Sequence, residues 1–254
     1  MTRDRGARTF DSDDLLFDIV EYLRDTHTAG VSEIAESVDA AKSTVHGHLR
    51  TLQRRGYVAS EDGIYRIGLE FLHLGKHAQH SKDVFPMAKE KVDRLAEQTG
   101  ELAECIIEEN GLGFPLYRSG GEQTIRSPDP VGAGIPLHQL AAGKCILANL
   151  PAERVEEILD RHGLASRTPN TITSESELQE ELDTVREQGY GFNKGESLPI
   201  TIAISAPILT QNQVYGALSI TGPEKRINEP SYQQEIIDLL TGATNELAVN
   251  LEWA

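Results

Sequence analysis

The chain has 254 residues with 39% hydrophobic and 25% charged content, ordinary for a folded protein of one or two domains, and carries a net charge of −16. No apolar run approaches the ~20 residues of a membrane helix, and Met1-Thr-Arg-Asp-Arg has no apolar signal core behind it, so a cytoplasmic protein is expected. Cys105 and Cys145 stand alone, without Cys-x-x-Cys spacing, which argues against a disulfide framework or zinc ribbon and leaves two buried, reduced thiols.

Residues 1–12 are polar and read as a frayed end. Leu15, Leu16, Ile19, Val20 and Leu23 then recur at helical spacing, and the pattern stops before Gly30. Ser32 reads as the N-cap of a short second helix carrying Ile34, Ala35 and Val38. A third helix carries Val45, Leu49 and Leu52 and ends at Gly56. Two short strands follow, at 57–60 and 64–67, joined by Glu61-Asp62-Gly63. Three helices and a hairpin over residues 1–67 form a winged helix-turn-helix.

On a helical wheel Val45, Leu49 and Leu52 define the buried face of the third helix, while Ser43, Gly47, Arg50 and Arg54 fall at about 140° to 200° from Val45. Residues 40–60 hold Lys42, Arg50, Arg54 and Arg55 and no acid, a basic island in an acidic chain. Such a face can enter a major groove without repelling phosphate. Arg50 and His46 are candidates for base edges or phosphates, and Ser32, Lys42, Ser43 and Thr44 for the DNA backbone. Arg54 extends the same face, and Arg66 on the wing could reach the flanking groove. The alternatives are a solvated face with incidental charge or a winged helix used for protein contacts. The acidic chain, with twice as many Arg as Lys, suits a high-salt cytosol.

Gly68 opens a linker helix over 68–82, with Leu69, Leu72 and Leu74. His73, His77 and His80 share one face of it; three imidazoles there could hold zinc, but no carboxylate or Cys clearly completes the set, so no metal is expected. Beyond it, residues 83–254 mix helices at 84–99, 138–149, 152–162, 175–188 and 232–251 with strand-like runs at 102–108, 114–118, 189–193, 200–209 and 214–221. The last two runs flank Gln211-Asn212-Gln213 and read as a hairpin, and Ser174-x-x-Glu177 reads as a capping box. The pattern is that of an α+β domain on a mainly antiparallel sheet. No Walker loop, dinucleotide fingerprint, metalloprotease motif or Gly-x-Ser-x-Gly elbow is present around His138, Ser197 or Ser219, so neither catalytic residues nor a cofactor are assigned. The alternative in a different class is a small-molecule enzyme carrying an N-terminal winged-helix module.

Val31-Ser-Glu-Ile-Ala-Glu, Lys42-Ser-Thr-Val-His46 and Leu52-Gln-Arg-Arg-Gly-Tyr-Val58 resemble the isocitrate lyase regulator (IclR) family of transcription factors. Ala142-Gly-Lys-Cys-Ile-Leu147, Arg167-Thr-Pro-Asn-Thr-Ile-Thr173, Val185-Arg-Glu-Gln-Gly-Tyr190 and Leu218-Ser-Ile-Thr-Gly-Pro223 continue the likeness over most of the chain. The resemblance implies a C-terminal GAF-like effector domain that binds a small organic acid or sugar acid and alters the affinity for double-stranded operator DNA. It implies homodimers assembled as dimers of dimers, and repression or activation of catabolic genes. It also implies an effector site at His138, Ala141, Ala142, Asn193, Glu196, Ala203, Ser219 and Thr221. Two departures stand out. Gly47 replaces the Arg usual after the helix's His, and Asn193 and Ala203 replace a common Asp and Cys, which makes the pocket more neutral.

Overall fold

The computed structural model describes residues 10–82, 84–122, 124–211 and 213–253. Residues 1–9 of the expected frayed end, and Asn212 in the expected hairpin turn, lie outside them. The chain divides after Gln79 into two compact units, each built on its own core.

The first unit opens with α1 (Asp11–Thr26), which buries Ile19 and Leu23, so Asp11 and Ser12 belong to a helix and not to a frayed end. A two-residue strand, β1 (Ala29–Gly30), leads into α2 (Val31–Ser37). Ser32 is not the N-cap: Gly30 holds that position, and its N–H donates to Glu33 Oε2 at 2.7 Å. Pairing of Ala29 with Tyr65 and of Gly30 with Ile64 keeps the chain extended up to Gly30, and the helix starts two residues earlier than expected. Helix α3 (Lys42–Arg54) buries Val45, Leu49 and Leu52 on the face the wheel assigns them. Fully burying such aliphatic side chains contributes about 1.5–3 kcal/mol each.

Strands β2 (Val58–Glu61) and β3 (Ile64–Ile67) form the wing, with β3 central in the order β1-β3-β2. Glu61 pairs with Ile64, so the turn is Asp62-Gly63 alone. Both residues have positive φ, 50° and 80°, as a two-residue type I′ hairpin requires. Gly68 closes the wing against the end of α3. Its N–H donates to Tyr57 O at 2.7 Å, and a Cβ there would lie 2.1 Å from Gly56 O. Helix α4 (Glu70–His80) follows and buries none of its residues.

The second unit begins with α5 (Val84–Thr99) and the hairpin β4 (Leu102–Glu109) and β5 (Leu112–Gly120). A short strand, β6 (Ile135–Pro136), and one turn of 3-10 helix (Leu137–Gln139) precede α6 (Ala141–Ala148). The single helix expected over 138–149 is therefore broken, because Leu140 is extended (φ −121°, ψ 138°) and caps α6. Helices α7 (Ala152–His162) and α8 (Glu175–Gln188) follow, with Ser174 Oγ accepting from the Glu177 N–H at 3.4 Å. Strands β7 (Gly191–Lys194), β8 (Thr201–Leu209) and β9 (Val214–Pro223), a short α9 (Glu224–Ile227) and α10 (Pro230–Glu252) complete the unit.

The six strands run antiparallel in the order β6-β5-β4-β9-β8-β7. Alternation along each strand divides the sheet. Ala103, Cys105, Ile204, Ala206, Leu218 and Ile220 pack with α5 and α10 on one face. Ile106 and Ala217 pack with α6 and α8 on the other. The positions between them on this second face, toward the start of α6, are polar or small. They form the floor of a cavity. The fold is thus a winged helix-turn-helix followed by an α+β domain on an antiparallel sheet.

Candidate DNA-binding face and effector pocket

Lys42, Ser43, Thr44, His46, Gly47, Arg50 and Arg54 are all exposed on α3, and so are Ser32 at the start of α2 and Arg66 on β3. Among the described residues, no carboxylate forms a salt bridge with Lys42, Arg50, Arg54 or Arg66. The Arg50 and Arg54 side chains face solvent. Gln53 Nε2 donates to Ser60 Oγ at 2.9 Å, which ties the end of α3 to the wing and fixes their relative placement. Among the described residues nothing lies within 4 Å of a Cβ built on Gly47, so no packing among them demands glycine there.

In the second unit, strand register lays two rows of side chains across the floor of the cavity. Arg118 of β5 pairs with Glu104 of β4, which pairs with Ser219 of β9, which pairs with Ser205 of β8. In the next row Leu102 pairs with Thr221, Thr221 with Ala203, and Ala203 with Asn193. Ala141 and Ala142 at the first turn of α6 close the cavity from above, where helix N–H groups lack partners within the helix. The cavity is about 50 Å³, room for one or two water molecules.

Six of the expected effector residues therefore line one cavity: Ala141, Ala142, Asn193, Ala203, Ser219 and Thr221. Asn193 is held from two sides. Its Nδ2 donates to Gln139 O at 2.6 Å, and its Oδ1 accepts from the Glu196 N–H at 2.9 Å. His138 and Glu196 do not line the cavity. His138 is buried and donates from Nε2 to Ala165 O at 3.0 Å, and burial lowers its pKa. The Glu196 carboxylate turns instead to Lys144. The Lys144 Nζ, 1% exposed, lies 2.8 Å from Glu196 Oε1 and 2.9 Å from Glu181 Oε1. Burial raises the Glu196 pKa, and the Lys144 charge opposes that shift.

The cavity also contains a charged pair that sequence reasoning missed. Arg118 donates from Nε and Nη2 to Glu104 Oε1 at 2.8 and 2.6 Å, and from Nη2 to Ser127 Oγ at 3.1 Å. Burial raises the Glu104 pKa, with Arg118 acting against it. A glutamate inside the otherwise apolar run Leu102-Ala-Glu-Cys-Ile-Ile107 was the available signal. Behind this pair Arg167 grips Asp129 at 2.9 and 3.2 Å.

Among the described residues no group of three or more His, Cys, Asp or Glu could hold a metal ion. His73 contacts Glu70, and His80 stands edge-on to the Phe85 ring. Cys105 and Cys145 are buried free thiols whose pKa burial pushes up to about 12. No helix among the described residues is long and apolar enough to cross a membrane.

Comparison with known proteins agrees with both units. The IclR helix-turn-helix domain profile matches residues 16–62, and the bacterial transcriptional regulator IclR C-terminal profile matches residues 76–249. The chain is 32% identical over 242 residues to the probable HTH-type transcriptional regulator ArcR of Halobacterium salinarum, covering 93% of this chain and 92% of that one. The crystal structure of the Thermotoga maritima IclR superposes with a TM-score of 0.77 at 26% identity, over 95% of this chain and 97% of that one. An IclR homolog of Microbacterium hydrocarbonoxydans complexed with 4-hydroxybenzoate shares the fold, with a TM-score of 0.78 at 21% identity, over 94% and 100% of the two chains. Relatives named as transcriptional regulators favour that role over an enzyme carrying a DNA-binding module. This chain belongs to the IclR family, and is a ligand-responsive, DNA-binding regulator of transcription.

Proposed function

We propose that residues 1–67 read a two-fold operator with α3 in the major groove, that 68–82 link, and that 83–254 sense a small organic acid in a cytosol of high ionic strength. Ser32, Lys42, Ser43 and Thr44 contact the DNA backbone; His46, Arg50 and Arg54 present donors to base edges and phosphates; Arg66 reaches the flanking groove. Gly47 lets the backbone of α3 approach the duplex. The observation that carries this reading is the exposed, acid-free cationic face of α3 in a chain of net charge −16. An acidic protein gains little from non-specific phosphate attraction, least of all in salt, so specific contacts doubled by dimerisation must supply the affinity.

A dimer through the linker is supported by Leu69, Leu72 and Leu74, which are 76%, 58% and 46% exposed along one short stretch. Two such dimers form the tetramer. The effector's anion sits against the N–H groups of Ala141 and Ala142, where the helix end favours negative charge, with Asn193, Ser219 and Thr221 around it. The 4-hydroxybenzoate bound by the Microbacterium homolog is an acid of this kind. Binding must favour one DNA-binding state over the other for the signal to pass.

A gel shift with the gene's own upstream DNA at matched high salt tests the reading. A retarded band that responds to a small acid, with the acid recovered unchanged, is expected. No shift with or without metabolites overturns it, and turnover of the acid would instead support an enzyme.

A further inference from the structure

The Glu104–Arg118 pair is an odd component for an anion pocket. A carboxylate 8% exposed faces the same cavity as the start of α6. Both Arg118 contacts fall on Oε1, and Glu104 Oε2 has no hydrogen-bond partner among the described residues, nor is it sealed from the cavity. An ionised carboxylate only accepts hydrogen bonds. Left unfilled, such a buried acceptor costs free energy, and an approaching anion would be repelled. The group that belongs beside Oε2 is therefore a hydrogen-bond donor.

Strand geometry sets where that donor sits. Glu104 lies between Arg118 and Ser219 in one row across the floor, with neighbouring strands about 4.8 Å apart. Ser219 and Thr221 lie two residues apart on the same face of β9, toward the helix end. Ser205 continues the row and is fully buried, and its Oγ has no hydrogen-bond partner among the described residues. The cavity thus has an anion-accepting side at the start of α6 and an acceptor-lined side at Glu104, joined by hydroxyls. Ile106, Ile135 and Leu140 line the rest with hydrocarbon.

We infer that Glu104, held by Arg118, is a specificity-determining residue that accepts a hydrogen bond from a hydroxyl of the effector, so that the pocket selects hydroxylated acids over plain fatty acids. This inference rests on the reading above that the cavity takes a small organic acid. A site with a buried acceptor rejects an analogue that lacks the matching donor, because binding then leaves the acceptor dry and unpaired. The aldonic and glyceric acids carry both groups; their deoxy counterparts carry only the anion.

Isothermal titration of the full chain at matched high salt uses three pairs: glycerate and propionate, threonate and butyrate, gluconate and hexanoate. In at least one pair the hydroxylated acid should bind about tenfold or more tightly. Glu104→Gln should shrink that preference several-fold, since hydrogen bonds to a charged acceptor are roughly twice as strong as neutral ones. Deoxy acids binding as tightly as their partners overturn the inference but leave the carboxylate reading standing. A preference unchanged in Glu104→Gln also overturns it, because Ser219 and Thr221 would then supply the recognition. Binding of neither member of any pair overturns both readings. The preference of the unmodified chain is decisive even if the variant folds poorly.

Discussion

Lys144 and Glu196 form a buried ion pair, Nζ to Oε1 2.8 Å, that joins α6 to the loop following β7. Strand β7 supplies Asn193 to the cavity, that loop supplies Ser197 and Leu198, and α6 supplies Ala141 and Ala142. The pair therefore clamps together two walls of the cavity, although neither charged group enters it. Removing one partner of such a pair leaves a buried charge uncompensated, at about 3–5 kcal/mol. Lys144→Met should destabilise the second unit by about that much in denaturant unfolding, and Lys144→Met/Glu196→Gln should recover a good part of the loss.

The same carboxylate gives a pH dependence. Burial holds the Glu196 pKa above its ordinary value of 4.5. An acid whose pKa is higher in the folded state contributes stability that is fully present below the unfolded pKa and is lost as pH rises through the folded one. Glu196→Gln removes that term while Lys144, Glu181 and the Lys194 N–H remain around the site. The stability of the parent relative to Glu196→Gln should therefore rise as the pH is lowered from about 7 to about 5. Thermal unfolding of both proteins across that range measures it.

Two glycines of the winged helix should behave oppositely. Open space surrounds Gly47, so Gly47→Ala should stabilise the first unit by about 0.5–1 kcal/mol through helix propensity, and should weaken operator binding. At Gly68 a Cβ would lie 2.1 Å from Gly56 O, so Gly68→Ala must displace backbone. A loss of about 1–3 kcal/mol or more is expected. Chemical denaturation separates the two outcomes.

Salt should matter more than for an ordinary domain. With a net charge of −16, the folded chain repels itself unless counterions screen it. Transition temperatures should rise steeply with salt, and removing salt should unfold or aggregate the protein. Full stability at low ionic strength would contradict the high-salt reading.

The long periodic elements were legible because burial wrote them directly into the sequence. The faces of α1 and α3 and the turn at Gly63 follow from hydrophobic spacing and backbone chemistry alone. What was not legible depends on partners distant in the chain. Strand β1 has two residues and exists because Ile64 and Tyr65 pair with it, and that pairing puts the N-cap of α2 at Gly30 in place of Ser32. The turn at Leu137–Gln139 separates from α6 because Leu140 is extended, which carries His138 away from the cavity to Ala165. Glu196 lies just beyond the strand that carries Asn193, yet its carboxylate is drawn to Lys144, 52 residues earlier in the chain. Glu104 and Arg118 meet only through strand register, which no local pattern reveals.

Arg50 is the residue through which α3 is proposed to read DNA. Arg50 is exposed on the face opposite Val45 and Leu49, so Arg50→Glu should leave the fold intact while placing a negative charge against phosphate. Gel shifts of the parent and Arg50→Glu chains with the same upstream DNA at matched high salt test it directly. Loss of the retarded band, with an unchanged circular dichroism spectrum, is the expected result; retained binding would mean that a different element enters the groove.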